Sequence, residues 1–98
     1  MMSNEIFRQR LGIRYPIFCG AMYPCSNPEL VAAAANAGVL GVIQPLSLTY
    51  VHGYEFKKGV EYIRSLSSGP LAVNLLIEQS SEVYLERMRR FLDQSLEA

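Results

Sequence analysis

An α/β fold with parallel strands is predicted from three observations. The runs Ile17-Phe18-Cys19, Val39-Leu40-Gly41-Val42-Ile43 and Leu71-Ala72-Val73-Asn74-Leu75-Leu76-Ile77 are nearly continuous in apolar residues, as expected of strands covered on both faces rather than of half-exposed, alternating ones. Each run is followed by a stretch with helical periodicity and helix-start signals. Strands separated by helices cannot pair as tight hairpins, so the connections imply parallel pairing through right-handed crossovers.

The elements follow in chain order. Asn4 is placed to cap a short helix through Arg10, with Ile6, Phe7 and Leu11 as apolar contacts and Gly12 as its stop; it reads as a lid over one end. The organising stretch is Tyr15 to Met22, where a short strand behind Pro16 runs into Gly20 and Ala21. Loss of side-chain bulk there lets backbone amides approach a flat or phosphorylated ligand. Asn27 is a good N-cap, Pro28 a good first helical residue and Glu29 favours the positive helix start, so a helix is expected to about Ala37, stopped by Gly38. Its inner face is Leu30, Val31, Ala34 and Ala35, and the small alanines allow close approach to a sheet.

The second strand, 39–43, is closed by Gln44-Pro45, and the segment 46–52 is a loop longer and more apolar than a plain connection needs. His52, the only histidine, reads as a structural hydrogen-bonder rather than a catalyst. The next helix spans about Tyr54 to Ser67, with Phe56, Val60, Ile63 and Leu66 inward, and Ser68-Gly69-Pro70 ends it. In the third strand Asn74 breaks the apolar rule, so a buried carboxamide there must be bonded either to neighbouring backbone or to a ligand. Ser80-Ser81 is expected to cap a last helix with Tyr84, Leu85, Met88, Phe91, Leu92 and Leu96 at helical spacing, and Glu86 with Arg90 as an outer pair.

Composition narrows the function classes. The 98 residues suffice for one small domain, and 50% of them are apolar. Nine basic residues balance nine acidic ones, which argues against a nucleic-acid or anionic-membrane partner. Cys19 and Cys25 have neither CxxC spacing nor a nearby histidine and read as reduced and metal-free. Without a signal-peptide pattern or an apolar run long enough to span a bilayer, the chain is expected to be cytoplasmic. No GxGxxG follows the first strand and no GxxxxGK[ST] occurs, which removes the dinucleotide-binding and P-loop readings. A (β/α)8 barrel of TIM type fits better. Such a barrel needs about 200 residues or more, so residues 1–98 are expected to form a single partial domain, the first three βα units.

The segments Leu11-Gly12-Ile13-Arg14-Tyr15-Pro16-Ile17, Cys19-Gly20-Ala21-Met22, Pro28-Glu29-Leu30-Val31-Ala32-Ala33, Ala37-Gly38-Val39-Leu40-Gly41-Val42 and Val73-Asn74-Leu75, in this order and spacing, carry a resemblance over essentially the whole chain. It resembles the FMN-dependent nitronate monooxygenases, long called 2-nitropropane dioxygenases. The resemblance implies a flavin-bearing eight-unit barrel that oxidises alkyl nitronates with molecular oxygen. It also implies FMN contacts from the turn Gly20, Ala21 and Met22 and from Asn74. Many relatives read Gly-Pro-Met where this chain has Gly20-Ala21-Met22, which makes the turn less rigid here. The family's catalytic histidine and its phosphate loops belong to later units, so no catalytic residue is assigned, and His52 comes too early for that role. Two other readings stand beside this one: a segment of a related FMN barrel such as an enoyl reductase, and a non-enzymatic module that self-associates through open strand edges.

Overall fold

The computed structural model describes residues 4–76 and 82–97. The predicted cap Ser80-Ser81 and the predicted strand end at Ile77 lie outside the described residues. The order is α1 (Asn4–Leu11), β1 (Phe18–Cys19), α2 (Pro28–Asn36), β2 (Leu40–Ile43), a π-helical turn (Ser47–Val51), α3 (Phe56–Leu66), β3 (Leu71–Val73) and α4 (Glu82–Glu97). Among the described residues, the three strands form one sheet in the order β1-β2-β3, and both pairings are parallel. The α/β class and the parallel pairing expected from the sequence are therefore present.

The register assigns the two faces. Cys19 is level with Gly41 and Gly41 with Leu71, while Ile43 is level with Val73. A Cβ on Gly41 would lie 2.6 Å from the Val31 carbonyl oxygen, so this row faces α2. One core cluster joins Val31 and Ala32 of α2, Ile43 of β2, Leu48 of the π-helical turn, Phe56, Val60 and Ile63 of α3, and Met88 and Phe91 of α4. The helices that follow the strands thus form a single layer on one face, as in a singly wound sheet, rather than covering both faces. Lys57 of α3 pairs with Glu97 at the end of α4, an exposed contact of small energetic weight.

Local chemistry accounts for the helix ends. The Asn27 side chain accepts from the Leu30 amide at 2.8 Å, and Pro28 follows as the first helical residue. Gly38 has φ +95, and its carbonyl accepts from the Arg14 and Tyr15 amides at 2.7 and 3.0 Å. The stop of α2 thereby holds the segment that enters β1. A side chain at Gly38 would be strained by its φ and would meet Arg14 Cβ at 2.8 Å.

Several sequence expectations are corrected. Strand β1 is not covered on both faces: Ile17 and Phe18 are 56% and 51% exposed. On the Phe18 side no second layer lies over the sheet among the described residues, and the cover on Phe18 is Phe7 of α1, with ring centroids 5.8 Å apart; Ile17 alternates to the other side and is exposed where β1 ends the strand order. Helix α1 includes Asn4 as its first residue and buries none of its own, so it is a flank rather than a sealed lid. Strand β3 ends at Val73, which leaves Asn74 outside it and exposed. On α2 the buried residues are Pro28, Val31, Ala32 and Ala35, a stripe rotated from the expected one. Leu66, Leu92 and Leu96 are exposed, and Glu86 and Arg90 form no ion pair. The expected loop 46–52 is largely helical, because the His52 amide bonds back to the Ser47 carbonyl at 2.9 Å.

Packing at Gly41 and Ile63 generates a stability test. Ile63 is 0% exposed, and Ile63→Ala is expected to cost about 2–5 kcal/mol. Gly41→Ala is expected to cost about 1–3 kcal/mol, since the atom it would press on is backbone. Urea midpoints measure both; an unshifted midpoint for Gly41→Ala would mean that α2 can lift away freely.

Candidate functional site at the carboxyl rim of the sheet

In a parallel α/β sheet, ligands bind beyond the carboxyl ends of the strands, where loops replace the hydrogen-bonded ladder and leave backbone groups free to serve a ligand. Three segments leave the sheet at that edge: Gly20-Ala21-Met22 after β1, Gln44-Pro45 after β2, and Asn74 after β3. The Asn74 amide still donates to the Ile43 carbonyl at 2.9 Å, so the ladder continues one residue past β3 and fixes where the carboxamide starts. Continuing the register, Gly20 is level with Val42, and Asn74 with Gln44. By strand alternation, Val42, Ala72 and Asn74 share the face turned away from the helices. The residues proposed from sequence therefore lie at the carboxyl end of the sheet, Gly20, Ala21 and Met22 after β1 and Asn74 after β3, with β2 between them.

The turn after β1 is held by a reciprocal pair. Ser26 is 3% exposed; its hydroxyl accepts from the Met22 amide at 2.8 Å, and its amide donates to the Met22 carbonyl at 2.7 Å. Farther along the same loop, His52 Nε2 lies 3.0 Å from the Pro24 carbonyl oxygen. This contact gives His52 the structural role expected of it, tying the turn after β1 to the end of the π-helical turn. Gly20 has no atom within 4 Å of where a Cβ would sit, so the strand ends in open space on that side. Cys19 is half-buried, Cys25 is exposed, and both are free thiols.

Gln44 is the residue that sequence reasoning passed over. It is buried, and its Oε1 accepts from the Ser47 amide at 2.8 Å, which caps the turn that follows β2. The signal was present: a carboxamide ends the apolar run 39–43 much as Asn74 interrupts the run 71–77. Ser47, next in this turn, is fully buried, and its hydroxyl finds no partner among the described residues. In contrast to Gln44, Asn74 is exposed, so its carboxamide is not consumed by the protein core and can meet a ligand.

Two substitutions separate the roles in the turn. Ser26→Ala leaves the Met22 amide without its acceptor and is expected to cost about 1–3 kcal/mol of stability. Gly20→Val enters open space and is expected to stay within about 0.5 kcal/mol of wild type. Thermal or urea melts of the two variants check the order; a Gly20→Val loss as large as that of Ser26→Ala would show that Gly20 is a folding residue.

Among the described residues, no helix is long and apolar enough to cross a membrane, and no cluster of three or more His, Cys, Asp or Glu is placed to hold a metal ion. The family model of nitronate monooxygenase matches residues 4–96. Probable nitronate monooxygenases of Staphylococcus aureus strains JH9 and Newman are each 31% identical to the chain over 77 residues, covering 79% of this chain and 21% of theirs. The chain thus spans about a fifth of the length of the curated relatives it matches. No solved structure matches it. With the match running through the parallel βα units and the rim they build, the chain belongs to the nitronate monooxygenase family.

Proposed function

We propose that this chain forms the first three βα units of an FMN-dependent (β/α)8 barrel, a single partial domain whose complete, cytoplasmic form oxidises alkyl nitronates with molecular oxygen. The observation that supports the reading is the carboxyl rim: Gly20, Ala21 and Met22 follow β1 and Asn74 follows β3 at the same end of a sequentially ordered parallel sheet with its helices in one layer. Family membership supports the chemistry.

The rim suits the ring end of FMN. The open space at Gly20 admits a flat group against backbone, and the exposed Asn74 carboxamide offers both a donor and an acceptor to a ring edge with the same alternation. Gln44, bonded to the Ser47 amide, stiffens the loop between them. When bound, FMN supplies reversible electron transfer, which none of these side chains provides. The rim segments 20–22, 44–45 and 74 carry no lysine or arginine, so phosphate neutralisation falls to other units of a complete barrel. His52 is engaged with Pro24 and takes no part in proton transfer in this reading.

Flavin titration of a protein containing this segment in a complete barrel tests the assignment. Asn74→Ala is expected to weaken FMN binding by about 1–3 kcal/mol through loss of a hydrogen-bonding group from a desolvated site. Unchanged affinity would remove Asn74 from the cofactor site.

The exposed Ile17 and Phe18 also support self-association of the 98-residue chain taken alone, through β1 and the uncovered sheet face. Light scattering on a size-exclusion column, with flavin absorbance recorded in parallel, is expected to show oligomers without stoichiometric FMN. A monodisperse monomer carrying one FMN would overturn this part of the reading.

A further inference from the structure

In the helix layer, beside the loop that follows β2, a cavity of about 310 Å³ opens between the π-helical turn, the start of α3 and the middle of α4. Phe56 and Phe91 belong to the core cluster and line its apolar side; both are buried, with ring centroids 5.4 Å apart. Tyr50 and Tyr54 stand at its walls, and Arg87 and Arg90 enter from α4.

The charges in this cavity are unusual for a helix turned toward its own protein. Arg87 has its guanidinium carbon 5.1 Å from the Tyr50 ring centroid, a cation held over an aromatic face. Neither Arg87 nor Arg90 is ion-paired with a carboxylate among the described residues, where the ion pair is Lys57 with Glu97. Glu55 is the one carboxylate in the lining, and its Oε1 accepts from the Lys57 amide at 3.3 Å as the cap of α3. Glu86 and Asp93 flank Arg90 on a neighbouring groove of α4 but do not bridge to it. The lining therefore holds two guanidiniums that are unpaired among the described residues, beside the Tyr50 ring and the outer face of Tyr54, whose other face is stacked on Tyr62 with ring centroids 5.8 Å apart. Guanidinium forks match the planar or trigonal oxygens of carboxylate and phosphate, and tyrosine faces accept a flat ring at little entropic cost.

We infer that the Tyr50–Arg87–Arg90 cavity is a second binding site, sharing no residue with Gly20, Ala21, Met22 and Asn74, for a small aromatic anion: a single ring bearing one carboxylate or phosphate. The volume sets the size, since it lies at the lower end of ligand-sized cavities and suits one ring with its anionic group. The arginines set the charge and the tyrosines the flatness. Tyr54 contributes its ring to the lining; partial burial, then Glu29 and Tyr62, raise its ionisation above the ordinary tyrosine range. The cavity lies on the opposite side of the sheet from the exposed Phe18, so occupancy neither requires nor blocks the proposed flavin contacts.

Isothermal titration of the full 98-residue chain with benzoate and with phenyl phosphate tests the inference, with inorganic phosphate and benzyl alcohol as half-ligand controls. One saturable site per chain is expected for the two aromatic anions, weaker or absent for the controls. Arg87→Gln and Arg90→Gln are each expected to weaken both aromatic anions by about tenfold, the loss of one charge-assisted contact. Tyr50→Leu should weaken phenyl phosphate while leaving any inorganic phosphate binding unchanged. Circular dichroism melts accompany each variant, and Arg87→Lys, which keeps the charge and loses the fork, replaces Arg87→Gln should that variant not fold. Absence of saturation, equal affinity for inorganic and phenyl phosphate, or unchanged affinity in the folded arginine variants would each overturn the site.

Discussion

The close approach of α2 to β2 is the constraint on which the rest of this structure depends. At Gly41 the Val31 carbonyl of the helix occupies the space a side chain would need, and on the same helix Ala32 and Ala35 are buried without bulk. Gly69 repeats the device near the start of β3, where an added Cβ would lie 3.1 Å from Ala35. Small residues on both sides let the helix layer settle onto the sheet at short range, and dispersion contacts accumulate at that distance. Leu48 exploits the same economy of bulk: it fills the gap left by Gly59, where any Cβ would be 2.8 Å from its methyl groups. Because the layers are locked this tightly, the register of β2 is fixed, and with it the height at which every strand gives way to its loop.

That height creates the functional edge. Strands β1, β2 and β3 are short, yet their carboxyl ends are aligned by the parallel register, and the residues just beyond them differ in chemistry from the strands themselves. The core excludes carboxamides because an unmet amide loses its hydration without compensation. Gln44 resolves this by bonding the turn that follows it, whereas Asn74 lies where its side chain stays accessible. The pair shows how two carboxamides at equivalent heights, each just past its strand, differ: one is bonded into the following turn and the other is left exposed. Ser26 and His52 complete the arrangement by tying the loop after β1 to itself and to the loop after β2.

The two faces of the sheet have opposite characters. The helix-covered face carries Ile43 and the continuous core, while the other carries the buried Leu40 and leaves Phe18 half exposed beside Phe7. A family match that covers a fifth of its relatives' length is in keeping with this asymmetry, since in a closed barrel the second face would be lined by side chains of further strands. The Arg87 and Arg90 cavity belongs to the covered side, where the aromatic core residues Phe56 and Phe91 reach the surface.

The sequence by itself determined the alternation of strands and helices, the parallel class, the Asn27-Pro28 start and Gly38 stop of α2, the small residues Gly20 and Ala21 after the first strand, and the polar Asn74 in the third apolar run. These rest on local causes: apolar runs, caps, the missing Cβ of glycine and the cost of a polar group in an apolar run, all of which act over a few residues. Only the tertiary structure decided that Phe18 is exposed, that Leu92 and Leu96 remain outside the core, that Ser26 rather than a neighbour pins the turn, and that Arg87 lies over Tyr50. Each of these depends on which surface is brought against which. A periodic apolar stripe says that a helix has a face to bury, but the partner that covers it is set by packing between segments far apart in the chain, which no local pattern encodes.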